Sequence, residues 1–181
     1  MKKNFMSIIL LLLLLSFSAC ATIPDGTKET ETKEKPQYTS ILKAQYPYYE
    51  TAEEIVDKAD LVFSGTVENS SCIFDNDMAY TVYEIKLEKM YKGDVQHNEN
   101  VQEDTVYLRC MGGIWEDTEY ILEGAPEILI GEKYLFLAAT FENAYPTLLN
   151  LDQAIYHLDK TDIEAVENGN ITLSQILETL E

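Results

Sequence analysis

Beyond the first twenty residues, the side chains best suited to nucleophilic or metal chemistry are Cys72, Cys110, His97 and His157. A thiol becomes a nucleophile beside a base or cation that lowers its pKa, and a metal needs several ligands at set intervals. His97 lies in the polar run Asp94-Val95-Gln96-His97-Asn98, His157 lies in an apolar run, and no motif joins either to a cysteine or serine. Both read as surface or packing residues. Asp75-Asn76-Asp77 is rich in oxygen but lacks the further ligands and closing glutamate of a calcium loop, so a turn is expected. Met111-Gly112-Gly113-Ile114 lacks the spaced glycines and lysine of a phosphate cradle and reads as a bulge or turn. Glu116, Asp117 and Glu119 read as a solvated loop, not a glycosidase pair. The expected catalytic residues, metal ligands and cofactors are none.

Binding chemistry has more material. Among twelve tyrosines, Tyr80, Tyr107 and Tyr120 could furnish a stacking face for a sugar or peptide, in competition with plain cross-strand packing. Charge narrows the partners. Acidic residues number 32 against 13 basic ones, for a net −19, and Arg109 is the sole arginine. Nucleic acid is excluded as a partner, because phosphate binding needs clustered Lys and Arg. The acidity reads as solubility outside the cell, with an acidic recognition surface for a cationic partner as the alternative.

Period-2 patterning supplies the elements that must position these groups. From Ala79 to Tyr91, Tyr83, Ile85 and Leu87 alternate with Glu84, Lys86 and Glu88, the mark of a half-buried strand. The phase breaks near Lys89, where a bulge or coil would bend the strand as a small barrel requires. Before it, Thr51-Ala52-Glu53-Glu54 is a capping box opening a helix to about Lys58, and Leu61–Val67 is a strand with Gly65 at a coiled position. After it come a polar loop from Lys92 to Asp104, a strand at Thr105–Arg109 and another within Trp115–Leu122. Next is a turn region, Pro126–Gly131, whose Ile128, Leu129 and Ile130 are expected to pack inward. Tyr134–Ala139 is apolar on both faces, as a fully covered strand requires. Tyr145–Asn150 and Ala154–Leu158 are expected to form a closing hairpin. Helix starts follow at Thr161 and Thr172, the second stapled by Ile171 onto Ile176.

The amino terminus reads as an address. Lys2-Lys3, the apolar run Ile8–Leu15 and then Ser16-Phe17-Ser18-Ala19-Cys20 have the order of an export signal. Ser18-Ala19-Cys20 resembles a bacterial lipobox, which implies a signal peptide over 1–19 and a diacylglyceryl group on Cys20, anchoring the chain to the membrane by lipid. Residues 20–45 are expected to be a flexible tether and 46–181 the folded domain. Export brings oxidising conditions, so one disulfide between Cys72 and Cys110 is expected, with free thiols as the alternative.

A second resemblance lies in Ala59-Asp60-Leu61-Val62-Phe63-Ser64-Gly65-Thr66-Val67, Thr81-Val82-Tyr83, Glu88-Lys89-Met90-Tyr91-Lys92-Gly93, Gly112-Gly113, Gly124-Ala125-Pro126 and Gly131-Glu132-Lys133-Tyr134-Leu135-Phe136-Leu137. This pattern resembles exported bacterial domains similar to the netrin-like and tissue-inhibitor-of-metalloproteinase group. It implies a mainly β fold, a five-stranded closed barrel of the oligonucleotide/oligosaccharide-binding (OB-like) type with short flanking helices and a C-terminal helix. That group's inhibitors chelate zinc through a free amino-terminal cysteine, which nothing here matches, so only the fold carries over. The expected function is a non-enzymatic binding domain of the cell envelope, anchored on the extracytoplasmic face, with an envelope protein or glycan as partner. The alternative is a regulator or inhibitor of an extracellular hydrolase.

Overall fold

The computed structural model describes residues 35–93, 101–102, 104–158 and 170–181. The expected leader, Cys20, His97 and the helix start at Thr161 lie outside the described residues. The chain is mainly β, and its organising pair is β2 (Leu61–Asp75) with β3 (Met78–Lys92). Asn76 and Asp77 join them with φ of 49° and 63°, a two-residue left-handed turn whose twist suits a hairpin and which Asn and Asp tolerate. The oxygen-rich triplet is thus a turn. The expected irregularity in β3 falls where the phase breaks, as a bulge. Register shifts between Val62 and Phe63 and between Ser64 and Gly65 leave Tyr91 and Glu88 unmatched, one on each side of Lys89.

Around this pair the other strands add in order. β5 (Thr105–Met111) runs antiparallel to β3, from Thr81 opposite Cys110 to Lys86 opposite Thr105. β8 (Lys133–Phe141) runs antiparallel to β2, and Tyr134 through Ala138 are buried on both faces, as their unbroken apolar run requires. β9 (Ala144–Leu148) pairs antiparallel with β8 and meets β5 in parallel at Arg109 and Thr147. The path of paired strands therefore goes from β8 through β2, β3, β5 and β9 and returns to β8. β4 (Val101–Gln102) extends the free side of β5.

The closing hairpin does not form. β9 and β10 (Ile155–His157) both run antiparallel to β8 along the same edge, so they point the same way and cannot pair with each other. Leu149 N–H donates to the Leu137 carbonyl and Leu137 N–H to the Ala154 carbonyl, carrying the pairing across the break. Residues 150–153 loop out between them. In the turn region before β8 only Ile128 packs inward, while Leu129 and Ile130 are exposed.

A second sheet sits beside the first. β1 (Tyr38–Leu42) runs parallel to β7 (Thr118–Leu122), which pairs antiparallel with β6 (Gly113–Trp115). β1 falls inside the stretch expected to be tether. Its order comes from the pairing with β7 and from the Asp117 carbonyl, which accepts the N–H groups of Gln37 and Tyr38. The chain crosses from β5 to β6 at Gly112 and Gly113. A Cβ on Gly113 would stand 2.7 Å from Thr81 Oγ1 and 3.0 Å from Cys72 Sγ, and its φ is +137°. Only glycine suits that crossing.

Among the described residues two helices cover the core. In α1 (Ala52–Lys58) the Thr51 hydroxyl accepts from Glu54 N–H at 3.2 Å, as the capping box requires, but the Glu54 carboxylate accepts from Glu50 N–H, one residue before the cap. In α2 (Leu173–Thr179) both bonds of the box form between Thr172 and Gln175. Ile171 and Ile176 are both buried, the placement that a staple needs, and with Ile55 of α1 they join the core of β2 and β8, where Phe63 stacks on Phe136 at 5.2 Å.

Candidate functional site

A cavity of about 250 Å³ opens where β3, β5, β7 and β9 come together. β3 contributes Tyr80, Thr81 and Tyr83, β5 contributes Arg109, Cys110 and Met111, β9 contributes Thr147 and Leu148, and Tyr46 comes from the segment before α1. Pairing explains the convergence. Thr81 stands opposite Cys110, and Arg109 stands opposite Thr147 at the single parallel contact of β5 with β9. Leu122, Pro126 and Ile128 supply the apolar remainder, and the exposed Ala125 stands among them.

A buried polar clamp holds Tyr46 in place. The Gln153 side chain is fully buried, accepts from Tyr49 N–H at 3.0 Å and donates to the Tyr49 carbonyl at 2.8 Å. Asn150 donates to the Pro47 carbonyl at 3.1 Å and to Gln153 Oε1 at 2.9 Å, and accepts from Gln153 N–H at 2.7 Å. The loop between β9 and β10 thus grips the backbone immediately after Tyr46. The expected hairpin puts Asn150 at the end of its first strand and Gln153 in the spacer, and the one signal in the sequence is an amide pair set three apart.

Arg109 is the single formally charged residue among the described residues of the lining. Its guanidinium carbon lies 4.4 Å from the Tyr80 ring centroid, a cation–π stack. Nη1 reaches Asp75 Oδ2 at 3.4 Å, longer than the usual charge-assisted bond. Nε–H is enclosed and has no acceptor among the described residues. The neighbouring phenols and thiol stay neutral. Burial pushes the Cys110 thiol up to about 12, and burial, then Cys110 and Tyr134, pushes Tyr83 up to about 12. Tyr46 is raised by burial and then by Cys110 and Tyr80. A thiol held protonated is the opposite of an activated nucleophile.

Cys72 and Cys110 both stand opposite Thr81, on the two strands flanking β3. At about 4.8 Å per strand their backbones are roughly 10 Å apart, beyond the about 7 Å that a disulfide spans. No disulfide joins the two. Iodoacetamide at pH 8 is expected to leave Cys110 unmodified in the native chain and to label it in urea, as read by peptide mass spectrometry. Native labelling at the rate of a free peptide thiol would show the thiol to be open. From about 9, the ordinary value, to about 12 the native chain keeps this proton while the unfolded chain releases it, so stability falls as pH rises through that window.

Of the three tyrosines singled out in the sequence, Tyr80 alone lines the cavity. Tyr107 packs against Tyr145 at 6.0 Å between ring centroids, and Tyr120 tilts against Phe74, which stacks on Trp115. Tyr107 and Tyr120 are packing residues, in two separate ring clusters away from the cavity. His157 meets Glu132 at 2.8 Å and the edge of the Tyr134 ring. Among the described residues no cluster of three or more His, Cys, Asp or Glu side chains is placed to hold a metal. Sequence reasoning missed Tyr46, Tyr83 and Arg109 as lining residues; the available signal was a lone arginine inside an apolar strand of a strongly acidic chain. No protein-family model matches the chain, and a comparison with curated proteins found no match.

Proposed function

We propose that the chain is an exported, lipid-anchored binding domain of the cell envelope, non-enzymatic, whose folded part is an OB-like closed barrel. The barrel reading is supported by the return of the strand path from β9 to β8 and by the parallel contact of β9 with β5. The Lys2-Lys3 charge, the apolar run after it and Cys20 support the anchor. The observation that carries the binding role is the tyrosine-lined cavity, concave, largely apolar and bearing a few convergent polar groups. An apolar cavity of about 150 Å³ holds a benzene, so about 250 Å³ has room for a ring and one polar substituent.

Ligand-observed NMR with single-ring compounds is the direct test. Binders are expected, and Ala125→Trp, a substitution at an exposed position of the lining, is expected to weaken them about tenfold or more by filling the entrance. Binders that compete with one another yet ignore Ala125→Trp would place binding elsewhere and overturn the assignment.

A further inference from the structure

We infer that the cavity selects a small organic monocarboxylate, a ring-sized or branched apolar body carrying one carboxylate, with that carboxylate received by Arg109. This rests on the binding role proposed above and adds the ligand's chemistry. The chain carries a net −19 and has one arginine, and that arginine is half-buried in the lining of an aromatic cavity. Tyr80 covers one face of the guanidinium at 4.4 Å, which leaves the N–H groups on the guanidinium edge as the available donors. Those donors are underused. Nε–H is enclosed and has no acceptor among the described residues, and the terminal N–H groups make one long bond there, to Asp75 at 3.4 Å. An ionised carboxylate would give the terminal N–H groups the short, charge-assisted acceptor that Asp75 supplies only at long range.

The planar fork matches a carboxylate, which accepts two parallel N–H bonds. The rest of the lining matches an apolar body, with Tyr46, Tyr83, Leu148 and Ile128 around the space. The overall field restricts the charge. A dianion such as a phosphate monoester meets the repulsion of the acidic chain twice over, with a single cation to offset it. A cationic ligand would meet Arg109 itself.

The probes are 3-phenylpropanoate, its neutral amide, and phenyl phosphate, each titrated against the whole chain by NMR or calorimetry at low salt. The acid is expected to bind about tenfold or more tighter than the amide, the gain typical of a charge-assisted bond over a neutral one, and tighter than phenyl phosphate. Arg109→Met is expected to bring acid and amide to equal affinity. Asp75→Asn, at the exposed end of the β2–β3 hairpin, is expected to tighten the acid severalfold and leave the amide unchanged, because it removes the competing carboxylate. This second variant decides the matter if Arg109→Met fails to fold. Equal binding of acid and amide by the unaltered chain would overturn the carboxylate assignment while leaving the binding role intact. Tighter binding of phenyl phosphate would overturn the preference for a monoanion. Failure of all three to bind would remove both the assignment and the binding role.

Discussion

Gln153→Met should lower the thermal midpoint by roughly 10 °C, with little change in side-chain volume. Gln153 is fully buried and satisfies both the N–H and the carbonyl of Tyr49, while its Oε1 also receives Asn150. Methionine fills the space and makes none of these bonds. Each buried polar group left without a partner costs about 1–3 kcal/mol, so a loss of about 3 kcal/mol is expected. For a chain of this size that corresponds to the stated shift. The damage should reach the cavity. Residues 47–49 follow Tyr46 directly, so loosening them should weaken ligand binding even at temperatures where the chain remains folded. A midpoint within about 2 °C of the unaltered chain would show that water replaces the clamp, and calorimetry with a binding titration reads both effects.

The second large effect is expected at Gly65. Strand propensity alone favours almost any residue over glycine at a strand interior, so Gly65→Ala would be predicted to stabilise. Tertiary structure reverses that sign. A Cβ there would collide with the backbone carbonyl oxygen of Lys86 and stand 2.7 Å from Ile85 Cγ2. The collision is with backbone at a register shift between β2 and β3, where no rotamer change relieves it. A loss of about 3 kcal/mol is expected, comparable to strong overpacking. Urea unfolding would read it, and an unchanged or higher midpoint would show that the bulge can open to accept a methyl group.

Much of the strand layout was legible because period-2 alternation reports burial directly. Ala79–Tyr91 named β3 to within a residue at each end, and Tyr134–Ala139 named the buried part of β8. Thr172-Leu173-Ser174-Gln175 announced its own cap, since the box uses only residues three apart. The misses share a cause. β1 has no pattern of its own, and β9 and β10 look like a hairpin because each is a short apolar run beside a polar break. Which strand each one pairs with depends on a partner far away in sequence, and no local pattern carries that.

The candidate site divides along the same line. By itself the sequence determined that the chain is acidic with one arginine, that its folded part is mainly β, and that its cysteines and histidines complete no catalytic or metal motif. Only the tertiary structure decided that Arg109 lies beside Tyr80, that Tyr46 and Tyr83 join them in one cavity, and that Tyr107 and Tyr120 do not. The physical reason is range. Composition and alternation act within a few residues, whereas the cavity is assembled by the β3–β5 register, the single contact of β9 with β5, and a buried amide clamp joining residues 104 positions apart.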